Sequence, residues 1–356
     1  MASDYHEEVK IRTTRLLRQR LKELPVFIND FFRGIADTTS VRTRIGYAYD
    51  LHIFFRFLVT ECPEFSQKPV SGLTREDLAK VSADHIEEFM EYLSYYIVNN
   101  DESEYTEYQN EERGKSRKLS ALRSMLSYFY KKRVLSANPS ELVDFPKIHE
   151  KNIIRLEVDE IAKLLDEVES GEHLTQTQKK YHIFTKARDL ALVTLLLGTG
   201  MRVSECVGID LRHLDFGING VQVTRKGGNQ SVLYFGDEVK DALVSYIKER
   251  KAIQGMIKEG DEDALFLSMQ NRRITVRSVQ LLVKKYSRLV TSLKKISPHK
   301  LRSTFGTQLY KETGDIYLVA DVLGHADVNT TRKHYAQLED ERRRMAAGQV
   351  KLRKSD

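Results

Sequence analysis

The sequence predicts a mainly α-helical protein with a small antiparallel β-sheet, built as two domains. Apolar residues recur at helical spacing through most of the chain, and one strand–turn–strand signal interrupts them in the second half. The chain has 356 residues, 41% hydrophobic and 30% charged, with 19 Gly and 6 Pro. That is long enough for two cores, and too apolar and too poor in chain breakers for a disordered protein.

Near residues 9 to 24, Val9, Leu16, Leu17, Leu21 and Leu24 recur at helical spacing and Pro25 ends the pattern, which predicts an amphipathic first helix. From Ser40 to Leu58, Ile45, Tyr49, Leu51, Phe54, Phe55 and Leu58 line one side of a second helix whose polar start carries Arg42 and Arg44. A third helix is expected from Ser82 to Tyr96, followed by a solvated loop over the acidic stretch Asn99 to Glu112. A fourth, from about Lys115 to Lys132, has Leu119, Leu122, Met125, Leu126 and Phe129 on its apolar side, while Lys115, Arg117, Lys118 and Arg123 offer donors to phosphate.

The segment from Phe145 to Asn152 is polar and unperiodic, and reads as an interdomain linker. Beyond it, helices are expected at about 157 to 168 and 187 to 198, the latter stopped by Gly198 and Gly200. Val221 to Thr224 and Ser231 to Phe235 flank a polar Arg225-Lys226-Gly227-Gly228-Asn229-Gln230 turn, a hairpin signal. Helices resume at about 237 to 253, 275 to 292, 298 to 311, 315 to 323 and 327 to 334, before a charged tail. The boundaries that follow are a first domain over 1–145, a linker over 146–156, a second domain over 157–337 and a terminal helix with a basic tail over 338–356.

The formal net charge is +6, and the two parts differ: residues 1 to 150 hold 22 basic and 24 acidic side chains, residues 151 to 356 hold 35 and 27. Six acids against one base between Asn99 and Arg113 account for the deficit of the first part. Basic surface on both parts suits a polyanionic partner. Cys62 and Cys206 show no CxxC spacing, so neither a disulfide framework nor a zinc knuckle is expected. The apolar run Leu190 to Leu197 is far short of the ~20 residues of a membrane span, and the opening residues lack an apolar leader. A cytoplasmic protein without a membrane partner is expected.

Breaking a phosphodiester without a metal or nucleotide takes a nucleophile, fixed positive donors for the phosphate oxygens and an acid for the leaving oxygen. The second part carries candidates for each. Gly198-Thr199-Gly200-Met201-Arg202-Val203-Ser204-Glu205 sets Arg202 just after a glycine turn, with Glu205 three positions on, within reach to anchor the guanidinium. In Pro298-His299-Lys300-Leu301-Arg302, Ser297 is placed to cap a helix and Pro298 to open it, so that His299 and Arg302 share a face beside a helix N-terminus and point at one anion. Leu323-Gly324-His325-Ala326-Asp327 puts His325 at another loop-to-helix step, and Tyr335 follows ten residues later as candidate nucleophile. A free tyrosine has a pKa of about 10, so cations or a base must help it ionise. Lys226, at the hairpin tip beside two glycines, is placed to protonate a leaving 5′ oxygen.

Taken together, Arg202, Lys226, His299-x-x-Arg302, Gly324-His325 and Tyr335 resemble, in order and in gaps, the signature of the tyrosine recombinase (phage integrase) family. Thr43 to Leu58, Arg117 to Arg123, Asn138-Pro139 and Pro146-Lys147 resemble its helical core-binding domain. Within the family, Leu119 to Leu126, Arg225-Lys226-Gly227-Gly228 and Arg188-Asp189-Leu190-Ala191 are most similar to the Xer recombinases. Ser303 stands where many relatives have a second histidine, and the acidic stretch at 99 to 112 is longer than usual.

The resemblance implies the two-domain tyrosine recombinase architecture, a helical core-binding domain plus a mixed α/β catalytic domain, closing as a clamp on duplex DNA. Tyr335 would attack the scissile phosphate and stay on the 3′ phosphate while a 5′ hydroxyl leaves. Arg202, Arg302 and His325 would stabilise the phosphoryl oxygens, with Lys226 as general acid, His299 as proton shuttle and Glu205 in support. No cofactor, ATP or metal is implied, and the partners are a double-stranded recombination site and a homotetramer on it, with an accessory or motor protein left open. From helix position, Arg42, Arg44, Lys115, Arg117, Lys118 and Arg123, with Arg225, are expected to contact DNA. Two other readings stand beside this one: a non-catalytic, site-specific DNA-binding accessory protein, and a metal site on His299 and His325, against which stands the absence of nearby Cys or carboxylate ligands at metal spacing.

Overall fold

The computed structural model describes residues 5–101, 104–149, 154–225 and 228–324. The chain divides into two compact units at the step from Lys151 to Asn152.

The first unit holds helices α1 (Tyr5–Leu21), α2 (Ile28–Gly34), α3 (Val41–Glu61), α4 (Arg75–Ala79) and α5 (Ala83–Tyr92), an antiparallel pair β1 (Tyr96–Asp101) and β2 (Glu104–Tyr108), and α6 (Glu112–Lys131). Helix α3 starts where extended Ser40 accepts the Thr43 N–H on Oγ at 3.2 Å. Leu51, Phe54, Phe55 and Leu58 from α3 and Leu119, Leu122, Met125, Leu126 and Phe129 from α6 form one buried cluster with Phe27, Phe31 and Phe89. Each such side chain stabilises the fold by about 1.5–3 kcal/mol when fully buried, so the helical periodicity of α3 and α6 fixes the centre of this unit.

The acidic segment corrects the expected loop. Helix α5 stops at Tyr92, short of Tyr96, because Tyr96 already pairs with Tyr108 at the base of the β1–β2 ribbon. The Tyr96 ring lies parallel to those of Tyr92 and Tyr108, with centroids 5.1 and 5.2 Å apart. The Arg56 guanidinium also donates to the Ile97 carbonyl at 2.9 Å. Aromatic and β-branched side chains at alternate positions outweigh the acidic composition of the segment.

The second unit holds α7 (Val158–Ser170), α8 (Gln176–Thr199), α9 (Val203–Cys206), the strands β3 (Leu214–Asp215), β4 (Gly220–Thr224) and β5 (Gln230–Tyr234), then α10 (Asp237–Ala252), α11 (Val276–Val290), α12 (Pro298–Thr313) and α13 (Ile316–Leu323). The strands form one antiparallel sheet in the order β3-β4-β5, with Val221 opposite Leu233 and Thr224 opposite Gln230 across the expected hairpin. Helix α8 is the axis of the unit: Ala191, Leu192, Leu195 and Leu196 are buried, and α7, α10 and α12 pack against it.

Helix α8 begins eleven residues before its expected start, because Thr175 and Gln178 cap it reciprocally, at 3.3 Å onto Thr175 Oγ and 3.0 Å onto Gln178 Oε1. Helix α12 has Pro298 in its first turn as expected, but the Ser297 hydroxyl makes no capping bond; its backbone carbonyl accepts from Lys300 and Leu301 instead. The helix expected at 327 to 334 and the segment 338–356 lie outside the described residues. Among the described residues, no helix is long and apolar enough to cross a membrane.

Candidate active site

Helix α13 stops at Gly324, whose φ of +62° closes the turn that side-chain-bearing residues rarely adopt. The last carbonyls of a helix lack helical partners and carry the negative end of its dipole. Here arginines from three other segments supply the donors. From the second turn of α12, Arg302 donates through Nη1 to the Gly200 carbonyl at 2.7 Å and through Nη2 to the Leu323 carbonyl. From the turn after α8, Arg202 donates through Nη2 to the Gly324 carbonyl at 3.2 Å. From the end of β4, Arg225 donates through Nη2 to the Val322 carbonyl at 3.0 Å, and its Nη1 reaches the Asp321 carbonyl at 3.5 Å.

Two glycines make this approach possible. Gly200 has φ +62°, and a Cβ on it would lie 2.3 Å from the Phe305 ring and 3.0 Å from Leu323, so the turn presses directly on α12 and α13. A Cβ on Gly324 would lie 1.3 Å from Arg225 Nη1. Glycine at both places lets backbone and guanidinium share one small volume.

Arg202 is clamped by Glu205. Its backbone N–H donates to Oε2 and its Nη1 to Oε1, both at 2.8 Å, so both carboxylate oxygens are engaged as the sequence spacing predicted. Glu205 is buried, whereas a third of the Arg202 side chain is exposed. Both terminal nitrogens of the guanidinium are thus held, Nη1 by Glu205 and Nη2 by the Gly324 carbonyl, while part of the side chain stays open to solvent, a geometry suited to receiving phosphate oxygens. Next to the carboxylate, burial and Glu205 itself push the Cys206 thiol up to about 12.

His299 and Arg302 stand one turn apart on α12 as expected, but His299 is exposed and Arg302 is buried. They therefore occupy different depths. Lys226, His325 and Tyr335 lie outside the described residues, although Arg225 and Gly324 immediately before Lys226 and His325 belong to the arginine cluster just described.

The sequence registered one contributor, Asp189, only as part of the Arg188-Asp189-Leu190-Ala191 resemblance and not as the centre of a network. Buried Asp189 accepts from Arg188 Nε and Nη2 at 2.9 and 2.6 Å, from the Thr185 hydroxyl at 3.2 Å, from the Tyr286 hydroxyl at 2.9 Å and from Lys285 at 3.4 Å. This network ties α8, the helix that delivers the Arg202 turn, to α11. Burial, and then Asp189, hold the Tyr286 hydroxyl protonated far above the ordinary tyrosine range, which makes it an anchor and a poor nucleophile.

In the first unit the expected phosphate donors part company. Arg42 is exposed, and Arg44 is half-buried with its Nε enclosed and unpartnered. Lys115 donates to Ser94 Oγ at 2.6 Å, and Arg117 pairs with Asp50 while more than half of its side chain stays exposed. Lys118 is buried with its ammonium 2.7 Å from Asn110 Oδ1, and burial lowers its pKa. Arg123 donates to the Val143 carbonyl and lies 4.2 Å over the Phe145 ring. The last two bind the chain to itself: at their positions on α6 the helix faces protein, a distinction that a linear charge pattern does not carry.

The family model described as the phage integrase family matches residues 155–342, more than half of the chain. A tyrosine recombinase XerC of Caldanaerobacter subterraneus subsp. tengcongensis is 33% identical over 348 residues, covering 94% of this chain and 89% of that protein. Among solved structures, the Tn1549 transposon integrase in complex with a circular intermediate DNA is similar with a TM-score of 0.60 at 18% identity, over 88% of this chain and 97% of that one. The XerH site-specific recombinase bound to difH substrate gives 0.56 at 18% identity, over 85% and 78%. The chain belongs to the phage integrase family, with the two-domain tyrosine recombinase fold of a helical core-binding domain and a mixed α/β catalytic domain. Within that family it is a DNA recombinase of the Xer-like kind.

Proposed function

We propose that this recombinase cuts and rejoins duplex DNA at a specific site through a 3′-phosphotyrosyl intermediate on Tyr335. The tyrosine hydroxyl gives up its proton to His299 as its oxygen forms a bond to the scissile phosphorus, the bond from phosphorus to the 5′ oxygen breaks, and Lys226 delivers a proton to that oxygen. Arg202, Arg302 and His325 neutralise the charge that gathers on the non-bridging oxygens, and His299 shuttles protons. Glu205 keeps Arg202 in place. The phosphotyrosyl ester retains the energy of the broken bond, so attack by a 5′ hydroxyl of the partner duplex reseals the strand.

The observation that carries this reading is the convergence of Arg202 and Arg302 on consecutive carbonyls, Gly324 and Leu323, at the step into His325. Residues 122 and 21 positions apart in sequence are thereby brought to one place. The same reading has the first domain, residues 1–145, hold the duplex through Arg42, Arg44, Lys115 and Arg117, joined by the 146–156 linker to the catalytic domain at 157–337. Four protomers assemble on two sites in the cytoplasm, exchange strands through a four-way junction and pass residues 338–356 to a neighbour.

A suicide duplex nicked next to the cleavage position tests the chemistry. Wild-type protein is expected to become covalently attached to the 3′ end, and Tyr335→Phe to bind the duplex in a gel shift without attachment. Binding by the wild type with no covalent product would leave the accessory-protein reading in its place.

A further inference from the structure

We propose that Asp50 is a positioning residue for DNA binding, holding the Arg117 guanidinium at a fixed place on the surface of the helical unit, ready for a phosphate oxygen. The proposal rests on the reading above that this unit grips duplex DNA. Arg42, Gly46 and Asp50 recur every four residues along one side of α3. Arg117, reaching across from α6, lies along that side: its Nη1 pairs with Asp50 Oδ2 and stands 4.0 Å from where a Cβ on Gly46 would be. A larger side chain in place of Gly46 would extend into the path of the guanidinium.

The pair is lopsided. The Asp50 side chain is 1% exposed and that of Arg117 is 55% exposed. The second carboxylate oxygen, Oδ1, is buried with no hydrogen-bond partner. A buried carboxylate satisfied on one oxygen is a poor device for stability, since an apolar residue of similar volume would serve the core as well or better. The other cation facing it, Lys118, has its ammonium directed to Asn110. What the carboxylate does accomplish is to fix one end of a long, otherwise mobile side chain more than half of which is exposed to solvent. A guanidinium held in advance loses less rotamer freedom when a phosphate arrives, and its planar fork serves two acceptors at once.

Net charge and positioning predict opposite signs for one substitution, which makes the test decisive. Asp50→Asn removes a negative charge beside the phosphate donors, so electrostatics alone predicts tighter binding. Positioning predicts weaker binding. The experiment is fluorescence anisotropy of the full-length protein on a fluorescein-labelled mixed-sequence duplex across a salt series. Asp50→Asn is expected to weaken binding about fivefold and to lower the slope of log affinity against log salt by about one, as Arg117→Ala does. The double variant is expected to be no weaker than Arg117→Ala alone.

If Arg117→Ala weakens binding and Asp50→Asn leaves it unchanged or tighter, Asp50 has no positioning role. If neither Arg117→Ala nor Arg42→Ala changes affinity, this surface does not meet DNA, and the reading on which the proposal rests fails with it. Should Asp50→Asn not fold, Arg117→Lys keeps the charge and loses the fork; positioning predicts weaker binding for it, and wild-type affinity and slope would overturn the proposal.

Discussion

Arg202 and Arg302 meet the same helix end one residue apart, the first on the Gly324 carbonyl and the second on the Leu323 carbonyl, although they start from a loop and from the second turn of α12. Arg302 also holds the Gly200 carbonyl, in the same turn that carries Arg202. Backbone and guanidinium groups therefore fix one another, and neither arginine can shift without disturbing the other's partner.

Glu205 is the element of this arrangement that reaches Arg202 from below, so Glu205→Gln should uncouple binding from chemistry. The amide can still accept the Arg202 N–H but no longer offers a full negative charge to Nη1. Single-turnover cleavage is expected to fall about 100-fold, comparable to the loss of one transition-state donor, while gel-shift affinity stays near that of the wild type. An unchanged cleavage rate would show that Arg202 does not depend on its carboxylate.

Gly200 is where the turn, α12 and α13 touch. Gly200→Ala imposes a left-handed backbone on a residue with a Cβ and drives that atom into Phe305 and Leu323. The expected cost is about 2 kcal/mol, within the range for backbone strain and overpacking, and urea unfolding measures it. Gly255→Ala, with open space around its Cβ and an ordinary backbone, should change stability little.

Asp77 sets an acid limit on the first unit. Burial pushes its carboxyl up, but Lys68 at 2.6 Å and the Thr74 N–H and hydroxyl together outweigh burial and hold it down at about 2, against an ordinary 3.8. A carboxyl depressed by folding contributes stability that is present above its unfolded pKa and lost as pH falls through the folded one. Thermal unfolding followed by circular dichroism should therefore show a loss of stability between about pH 4 and pH 2. Asp77→Asn should flatten that limb and lower stability at neutral pH.

Both cysteines should be inert in the native protein. Cys62 and Cys206 are buried and free, and burial, reinforced by neighbouring glutamates, raises their thiols to about 11 and about 12. A chromogenic disulfide reagent should titrate neither thiol until denaturant is added, and then both. Rapid reaction of either in the folded state would contradict the packing around α3 or α9.

The sequence by itself determined several of the longer helices, because the spacing of apolar residues is a local code: α3, α6 and α11 fall within a few residues of their expected bounds, whereas the short α2, α4 and α9 were not expected. It also determined the Arg202–Glu205 clamp, whose partners are three residues apart and meet through backbone geometry alone, and the family, whose signature is a matter of order and gaps. The early start of α8 and the β1–β2 ribbon were less legible, since polar and acidic composition there masked a capping pair and a tyrosine stack.

Only the tertiary structure decided which cations are free for a partner. Lys118 and Arg123 are indistinguishable from Arg117 in a list of charges on α6, yet the first two turn to Asn110 and the Val143 carbonyl while the third lies open over Gly46. It alone decided, too, that three distant arginines share the end of α13. Contacts of this kind depend on where separate helices bring their termini, and the chain fixes that through the summed packing of many side chains, which no local spacing records.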